Sequence, residues 1–124
     1  MKTRRPIMVV DDDDNVRRMM CMMLEAEGYA TVAACDGVEA LERMRDVPPS
    51  LVFVDLMMPR MDGEHLIHSM RADAALSRIP VAIMSGHSHP PSGLSGDARL
   101  LKPIELDDLL SVADRYSREQ ARRD

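Results

Sequence analysis

Aromatic side chains are nearly absent from this sequence of 124 residues, which has one phenylalanine, two tyrosines and no tryptophan. Proteins that bind single-stranded nucleic acid stack the bases on aromatic rings, and this chain has too few rings for such a surface. The net charge of −5 also argues against a nucleic-acid partner, because nucleic-acid-binding domains normally carry a basic face. The twelve methionines are expected to fill the core volume that large rings would otherwise take, with a methionine-rich binding groove as the alternative.

Cysteines and long apolar runs are also scarce. The two cysteines, Cys21 and Cys35, match neither a CxxC pair nor a zinc-binding spacing, so we expect reduced, packed thiols. The basic start MKTRRP is followed only by IMVV before four aspartates, which is too short for a secretory signal or a membrane span. We therefore expect a soluble cytoplasmic protein with no membrane partner, and the length suits a single domain.

Short apolar runs alternate with amphipathic helical patterns along the chain. The predicted strands are residues 7–10, 29–35, 51–54, 79–85 and 98–101. The first predicted helix has Asp14 as its N-cap and Gly28 as its stop, and the later helices cover residues 36–45, 64–71 and 104–120. Strands that alternate with helices form a parallel sheet with helices on both faces. The sequence therefore predicts a doubly wound α/β domain with five parallel strands.

Charged and hydroxyl side chains stand where the predicted strands end. They are Asp11 and Asp12 after the first strand, Asp55 after the third, Ser85 at the end of the fourth, and Lys102 after the fifth. In such sheets the active crevice lies outside the carboxyl ends of the strands, so these side chains should converge. Three neighbouring carboxylates raise one another's pKa unless a cation intervenes, and a ligand set made only of oxygens favours Mg²⁺.

Ser85 and Lys102 are expected to face the same point as Asp55. A cation, a hydroxyl group and a metal around one carboxylate are the groups that stabilise a phosphoryl group in transfer. Asp55 is therefore a candidate nucleophile that would form an acyl phosphate.

Four motifs at these strand ends, VVDDDDN, VDLMMPRMDG, IMSG and LLKP, resemble the signatures of the receiver domain of two-component response regulators. They occur in the family's order along nearly the whole chain. The resemblance, which is to chemotaxis-regulator-like receivers, implies a flavodoxin-like sheet of order 2-1-3-4-5 and a single receiver domain over residues 1–124. It also implies a phosphoryl donor, either a sensor histidine kinase or a histidine phosphotransfer protein, and an unknown downstream protein.

The resemblance implies a role for each acidic residue of the site. Asp55 would be the phosphoacceptor. Asp11 and Asp12 would hold Mg²⁺ together with Asp55, with Asp12 the more direct ligand, and the backbone carbonyl of Met57 would complete the protein's share.

The same resemblance implies roles for the other two side chains. Lys102 would bind the phosphoryl oxygens, Ser85 would move to hydrogen-bond the phosphoryl group, and the Lys102-Pro103 peptide would be cis. The protein would catalyse its own phosphorylation and a slow dephosphorylation, without acting as an enzyme on a separate substrate.

Two features depart from the family's pattern. The stretch between Ser85 and Lys102 contains adjacent prolines and three glycines, so the fourth helix is expected to be short, distorted or absent, and residues 86–97 are expected to be mobile. Arg99 stands where the family usually carries an aromatic residue, and an arginine should point outward.

Three other interpretations of these residues compete with phosphoacceptance. An interaction module with the same fold, regulated by binding without phosphorylation, is the main alternative, although the complete set of acidic, serine and lysine residues argues against it. A haloacid-dehalogenase phosphatase using Asp11 and Asp13 would leave the Asp55 signature unexplained. A zinc site is disfavoured because no histidine spacing matches a zinc pattern; the histidines are His65, His68, His87 and His89.

Overall fold

Five parallel strands form the centre of the protein, a computed structural model of which describes residues 5–58, 61–86 and 96–124. Within these residues the elements are β1 (Ile7–Val10), α1 (Asp14–Ala26), β2 (Thr31–Ala34), α2 (Gly37–Asp46), β3 (Leu51–Asp55), α3 (Gly63–Ala72), β4 (Val81–Ser85), β5 (Ala98–Leu101) and α4 (Leu106–Arg123). The strand order is β2-β1-β3-β4-β5 and every neighbouring pair is parallel. The predicted flavodoxin-like sheet of order 2-1-3-4-5 is confirmed.

The central strands are buried on both faces, which explains their continuous apolar runs. Met8 and Val10 of β1 point into one core cluster, which contains buried residues of α2 and α3. Ile7 and Val9 point into the other, which is completed by α1 and α4. Five methionines are completely buried, as the scarcity of rings predicted: Met8, Met20, Met44, Met70 and Met84. The two cysteines are free thiols, as expected.

The start of α1 corrects the sequence-based assignment by one residue. The N-cap is Asp13, whose Oδ1 accepts hydrogen bonds from the backbone N–H groups of Asn15 (2.8 Å) and Val16 (3.2 Å). Asp14 is already helical, so its prediction as the N-cap is wrong. Several aspartates in a row are equally good caps by type, and the extended backbone at Asp13 decides between them. The predicted stop is right, since Gly28 has a positive φ of 92°.

The fourth helix is a second correction. Among the described residues the fourth helix in chain order is α4, which has 18 residues and corresponds to the helix predicted over residues 104–120. The prediction of a short or absent fourth helix is therefore wrong for this helix. Its buried face, which includes Leu109, Ala113 and Tyr116, packs on β3, β5 and α1, and this packing stabilises the whole length. The Pro- and Gly-rich stretch that prompted the prediction falls mainly in residues 87–95, which lie outside the described residues. The prediction that this stretch is mobile therefore also lies outside them. Across the described ranges, no helix has the length and apolar character needed to cross a membrane.

Candidate functional site

Three carboxylates meet at the carboxyl edge of the sheet. Asp55 is the last residue of β3 and is 5% exposed, while Asp11 directly follows β1 and is completely buried. These strands are neighbours with Val10 opposite Val54, so Asp11 and Asp55 follow paired positions. Asp12 is exposed. One carboxylate oxygen from each of the three aspartates lies within 4.8 Å of the others.

Lys102 reaches into this cluster from the end of β5. Its Nζ donates a hydrogen bond to Asp11 Oδ2 over 2.9 Å and lies 3.4 Å from Asp55 Oδ2. Burial alone would lower the pKa of Lys102, but the hydrogen bond to Asp11 and the charges of Asp11 and Asp55 together raise it above its ordinary value. The side chain therefore carries its positive charge at neutral pH. The peptide bond between Lys102 and Pro103 is cis, as the resemblance implied.

The environment of Asp55 disfavours its ionised form. Burial is the largest cause that raises the pKa of Asp55, and the charge of Asp11 adds to it. Lys102 opposes the rise, as does the backbone N–H of Met57, which donates to Asp55 Oδ1 over 3.3 Å. A further positive charge beside these carboxylates would relieve both the burial cost and the mutual repulsion.

The donor set fits a hard divalent cation. Asp11, Asp12 and Asp55 offer carboxylate oxygens at short mutual distances, and this cluster includes no thiolate or imidazole. Mg²⁺ prefers oxygen ligands and takes few carboxylates. Met57 lies two residues after Asp55, and its backbone N–H donates to Asp55 Oδ1, although the residue as a whole is 78% exposed.

Ser85 ends β4, the strand between β3 and β5. Its backbone carbonyl accepts a hydrogen bond from the N–H of Lys102 over 2.8 Å, which ties the two strand ends together. Ser85 is half-buried, at the same sheet edge as Asp55 and Lys102. Arg99 is exposed on β5, in agreement with the sequence-based expectation.

Two residues that the sequence reasoning missed also shape the site. The guanidinium of Arg17 on α1 donates to the backbone carbonyl of Asp11 over 2.7 Å. Gly63, the first residue of α3, lies so close to the end of β3 that an added Cβ would be 2.5 Å from the backbone oxygen of Asp55. In the sequence nothing distinguishes Arg17 from an ordinary surface residue of a helix. Gly63 is the last residue of the motif VDLMMPRMDG, but the sequence does not show why that position needs a glycine.

Comparison with known proteins agrees with this geometry. The family model of the response regulator receiver domain matches residues 7–114. The chain belongs to this family. The protein PilG of Pseudomonas aeruginosa is 33% identical over 111 residues, which are 86% of this chain and 82% of PilG. The regulatory protein AtoC of Escherichia coli is 32% identical over 114 residues, and these cover 88% of this chain but only 24% of AtoC.

The solved structures resemble this receiver domain along most of its length. The signal receiver domain of a signal transduction histidine kinase from Syntrophus aciditrophicus superimposes with a TM-score of 0.86 at 27% identity. The superposition covers 93% of this chain and 91% of that one. The matched residues therefore form a receiver domain of two-component signalling, homologous to response regulators.

Proposed function

We propose that this receiver domain accepts a phosphoryl group on Asp55 from a phosphohistidine. The donor is a sensor histidine kinase or a histidine phosphotransfer protein. The observation that carries the proposal is the cluster at the sheet edge, where the Asp55 carboxylate lies 3.4 Å from the Lys102 ammonium and within 4.8 Å of Asp11 and Asp12. A nearly buried carboxylate between a cation and two acids suits a nucleophile for phosphoryl transfer.

The transfer exchanges one phosphorus bond for another. A carboxylate oxygen of Asp55 forms the new P–O bond while the P–N bond of the phosphohistidine breaks. The imidazole leaves with the electron pair of the broken bond, and it leaves as a neutral ring when its other nitrogen carries a proton. The receiver domain thus catalyses its own phosphorylation, and slow hydrolysis of the acyl phosphate later restores the carboxylate.

The acidic residues would hold Mg²⁺. Asp11, Asp12 and Asp55 would supply carboxylate oxygens, and Met57 would supply its backbone carbonyl. When bound, the ion would contribute positive charge that offsets the repulsion between the carboxylates and the phosphoryl oxygens. The exposed carboxylate of Asp12 faces a smaller desolvation cost than buried Asp11, which supports its role as the more direct ligand.

Lys102 and Ser85 would act on the transferred group. The ammonium of Lys102 would bind phosphoryl oxygens, and its raised pKa keeps it charged for this role. The Ser85 hydroxyl would donate to the phosphoryl group once it is attached. Because Ser85 O and Lys102 N are hydrogen-bonded at 2.8 Å, a movement of Ser85 would be transmitted to the end of β5.

We also propose that residues 1–124 form one receiver domain that acts in the cytoplasm and signals to a downstream protein by a change of conformation. The single five-stranded sheet and the family match over residues 7–114 support one domain.

Phosphorylation is tested by incubating the protein with a small acyl phosphate and Mg²⁺ and then measuring its intact mass. We expect one added phosphoryl group, and Asp55→Asn should abolish the addition because an amide is a poor nucleophile. Asp46→Asn is the matched control, since Asp46 is an exposed aspartate at the end of α2, and this variant should be labelled like the parent.

Two results would contradict the proposal. Labelling of Asp55→Asn at the parent's level would assign the phosphoryl group to another residue. An unlabelled parent with several donors would instead favour an interaction module regulated by binding without phosphorylation.

A further inference from the structure

Arg17 binds the main chain at the acidic loop between β1 and α1. Its side chain is only 18% exposed, although it lies on a surface helix. Nη1 donates to the backbone carbonyl of Asp11 over 2.7 Å, and Nη2 pairs with the carboxylate of Asp14. The bond to Asp11 spans six residues of sequence, so it closes the loop on itself.

The carbonyl of Asp11 belongs to the peptide unit that joins Asp11 to Asp12. A peptide unit is planar and rigid, so a hydrogen bond to its oxygen restrains the direction in which the chain continues. Two other contacts restrain the neighbouring peptides: Asp11 N–H donates to Ala34 O over 3.2 Å on the strand side, and Asp13 N–H donates to Asp11 Oδ1 over 2.9 Å after Asp12. Arg17 restrains the peptide between these two, the one that joins Asp11 to Asp12.

The restraint by Arg17 matters more for the carboxylate of Asp12 than for that of Asp11. Its side chain is exposed, so core packing does not set where its carboxylate points. The carboxylate of Asp11, in contrast, is completely buried and bonded to Lys102. The orientation of the peptide before Asp12 is thus a main determinant of how its carboxylate meets the other two.

We propose that Arg17 is a positioning residue for the divalent-cation site, an inference that rests on the proposed function. Its guanidinium holds the Asp11-Asp12 peptide so that the Asp12 carboxylate faces Asp11 and Asp55. Arg17 acts through the main chain and contacts neither the cation nor the phosphoryl group.

The sign of the effect separates positioning from simple electrostatics. A positive charge near a cation site weakens cation binding by repulsion. If Arg17 acted only through its charge, a variant without that charge would therefore bind Mg²⁺ more tightly than the parent. A positioning Arg17 predicts the reverse, because the freed peptide lets the Asp12 carboxylate turn away. Loss of groups that orient metal ligands typically weakens metal binding by about 10- to 100-fold.

Calorimetric titration with Mg²⁺ measures this sign. We expect Arg17→Met to raise the Mg²⁺ dissociation constant about tenfold. Arg17→Lys should fall between this variant and the parent, because an ammonium can donate to the Asp11 carbonyl but lacks the fork that also holds Asp14. The matched control is Arg18→Met, which removes the neighbouring exposed arginine of α1 and should bind Mg²⁺ like the parent.

A kinetic readout distinguishes positioning from general damage to the fold. In the acyl phosphate reaction, Arg17→Met should need more Mg²⁺ for half-maximal labelling, while its rate at saturating Mg²⁺ stays close to the parent's. A rate deficit that saturating Mg²⁺ does not restore would overturn the inference. If circular dichroism shows that Arg17→Met is unfolded, Arg17→Lys and Arg17→Gln decide by the same two measurements.

Failure of the inference and failure of the proposed function give different results. Arg17→Met with an unchanged or smaller dissociation constant, beside an Asp12→Asn variant that has lost Mg²⁺ binding, overturns only the role of Arg17. A parent that binds no Mg²⁺, or an Asp12→Asn variant that binds it like the parent, overturns the proposed metal site and the inference with it.

Discussion

Asp11 and Asp12 are adjacent in the chain but have opposite environments. Asp11 is completely buried, and both of its carboxylate oxygens have partners, Asp13 N–H at 2.9 Å and Lys102 Nζ at 2.9 Å. Asp12 is exposed and lies within 4.8 Å of two other carboxylates. Asp11 is therefore part of the folded framework, while the charge of Asp12 adds repulsion that a cation would remove.

Asp12→Asn should separate metal binding from stability. Without Mg²⁺ we expect the variant to melt at the parent's temperature or above it, because like-charge repulsion with Asp11 and Asp55 is relieved. Addition of Mg²⁺ should raise the melting temperature of the parent and leave that of the variant nearly unchanged. Thermal melts with and without Mg²⁺ provide the measurement, with Asp46→Asn as the control. A variant that gains as much from Mg²⁺ as the parent does would show that the ion binds elsewhere.

At the scale of elements, the start of α3 is packed directly on the end of β3. The N–H of Gly63 donates to Leu56 O over 3.2 Å. A Cβ at Gly63 would lie 2.5 Å from Asp55 O and 2.8 Å from Leu56 Cα, and both are backbone atoms that cannot turn aside as a flexible side chain can. Glycine thus permits the close approach of the start of α3 to the end of β3, the strand that carries Asp55.

Gly63→Ala should displace the end of β3. Overpacking of this kind typically destabilises a fold by about 1–3 kcal/mol, and we also expect slower labelling because Asp55 moves with the backbone. Urea unfolding and the acyl phosphate assay measure the two effects. Gly86→Ala is the control for stability, since an added Cβ there meets no atom of the described residues within 4 Å. Equal stability of Gly63→Ala and the parent would mean that the backbone at Asp55 and Leu56 can shift at little cost.

The N-cap of α3 provides a pH-dependent contribution to stability. Asp62 Oδ1 accepts hydrogen bonds from His65 N–H and lies 2.9 Å from His65 Nδ1. The backbone hydrogen bond from His65 is the main cause that holds the pKa of Asp62 below its ordinary value of 3.8. Folding therefore favours the ionised carboxylate, and the stabilisation is complete above this ordinary value and is lost as the pH falls through the lower folded value.

Asp62→Ala should reveal this contribution. At neutral pH we expect the free energy of unfolding to fall by about 1 kcal/mol, as for other lost caps. The gap between variant and parent should narrow as the pH is lowered below 3.8, because the parent then loses the same interaction. Urea midpoints at neutral and acidic pH measure the gap. A gap that widens in acid would mean that the neutral carboxyl group is the stabilising form.

At the scale of the whole molecule, Asp97 joins the sheet to helices on both of its faces. Its N–H donates to Val81 O and its Oδ2 accepts from Val81 N–H, each over 2.8 Å, so one residue continues the β4–β5 ladder with a side chain. The same Oδ2 accepts from Arg71 on α3 over 2.9 Å. The Asp97 carbonyl accepts from the hydroxyl of Tyr116 on α4 over 3.0 Å. This junction lies at the start of β4 and β5, opposite the edge that carries Asp55.

Asp97→Ala should destabilise the protein without changing the phosphorylation chemistry. We expect a loss of about 2 kcal/mol, because Val81 N–H and Arg71 lose a charged acceptor. Tyr116→Phe removes one hydroxyl from the same junction and should cost about 1 kcal/mol. Urea unfolding measures both variants, and labelling should reach the parent's extent under native conditions. If Asp97→Ala were as stable as the parent, water would replace the carboxylate at this junction without loss.

Much of the fold could be predicted because its signals are local. The apolar runs of β1 and β3 and the helical spacing of α1 and α2 follow from side-chain periodicity, and alternation of the two element types implies a parallel sheet. The acidic, serine and lysine residues stand at the ends of strands or directly after them, so a sheet with parallel strands brings them to one edge. The misplaced N-cap at Asp14 had a different cause, since four adjacent aspartates are alike in type and only backbone conformation selects Asp13.

The sequence by itself determined the order of the strands and helices along the chain, the resemblance to the family, and the residues at the sheet edge. Each of these depends on residue type and on spacing along the chain. Only the tertiary structure decided which groups those residues touch. The bond from Arg17 to the Asp11 carbonyl, the close approach of Gly63 to Asp55 and the junction at Asp97 depend on distances between separate elements. Such distances arise from packing of the whole chain, which no local pattern encodes.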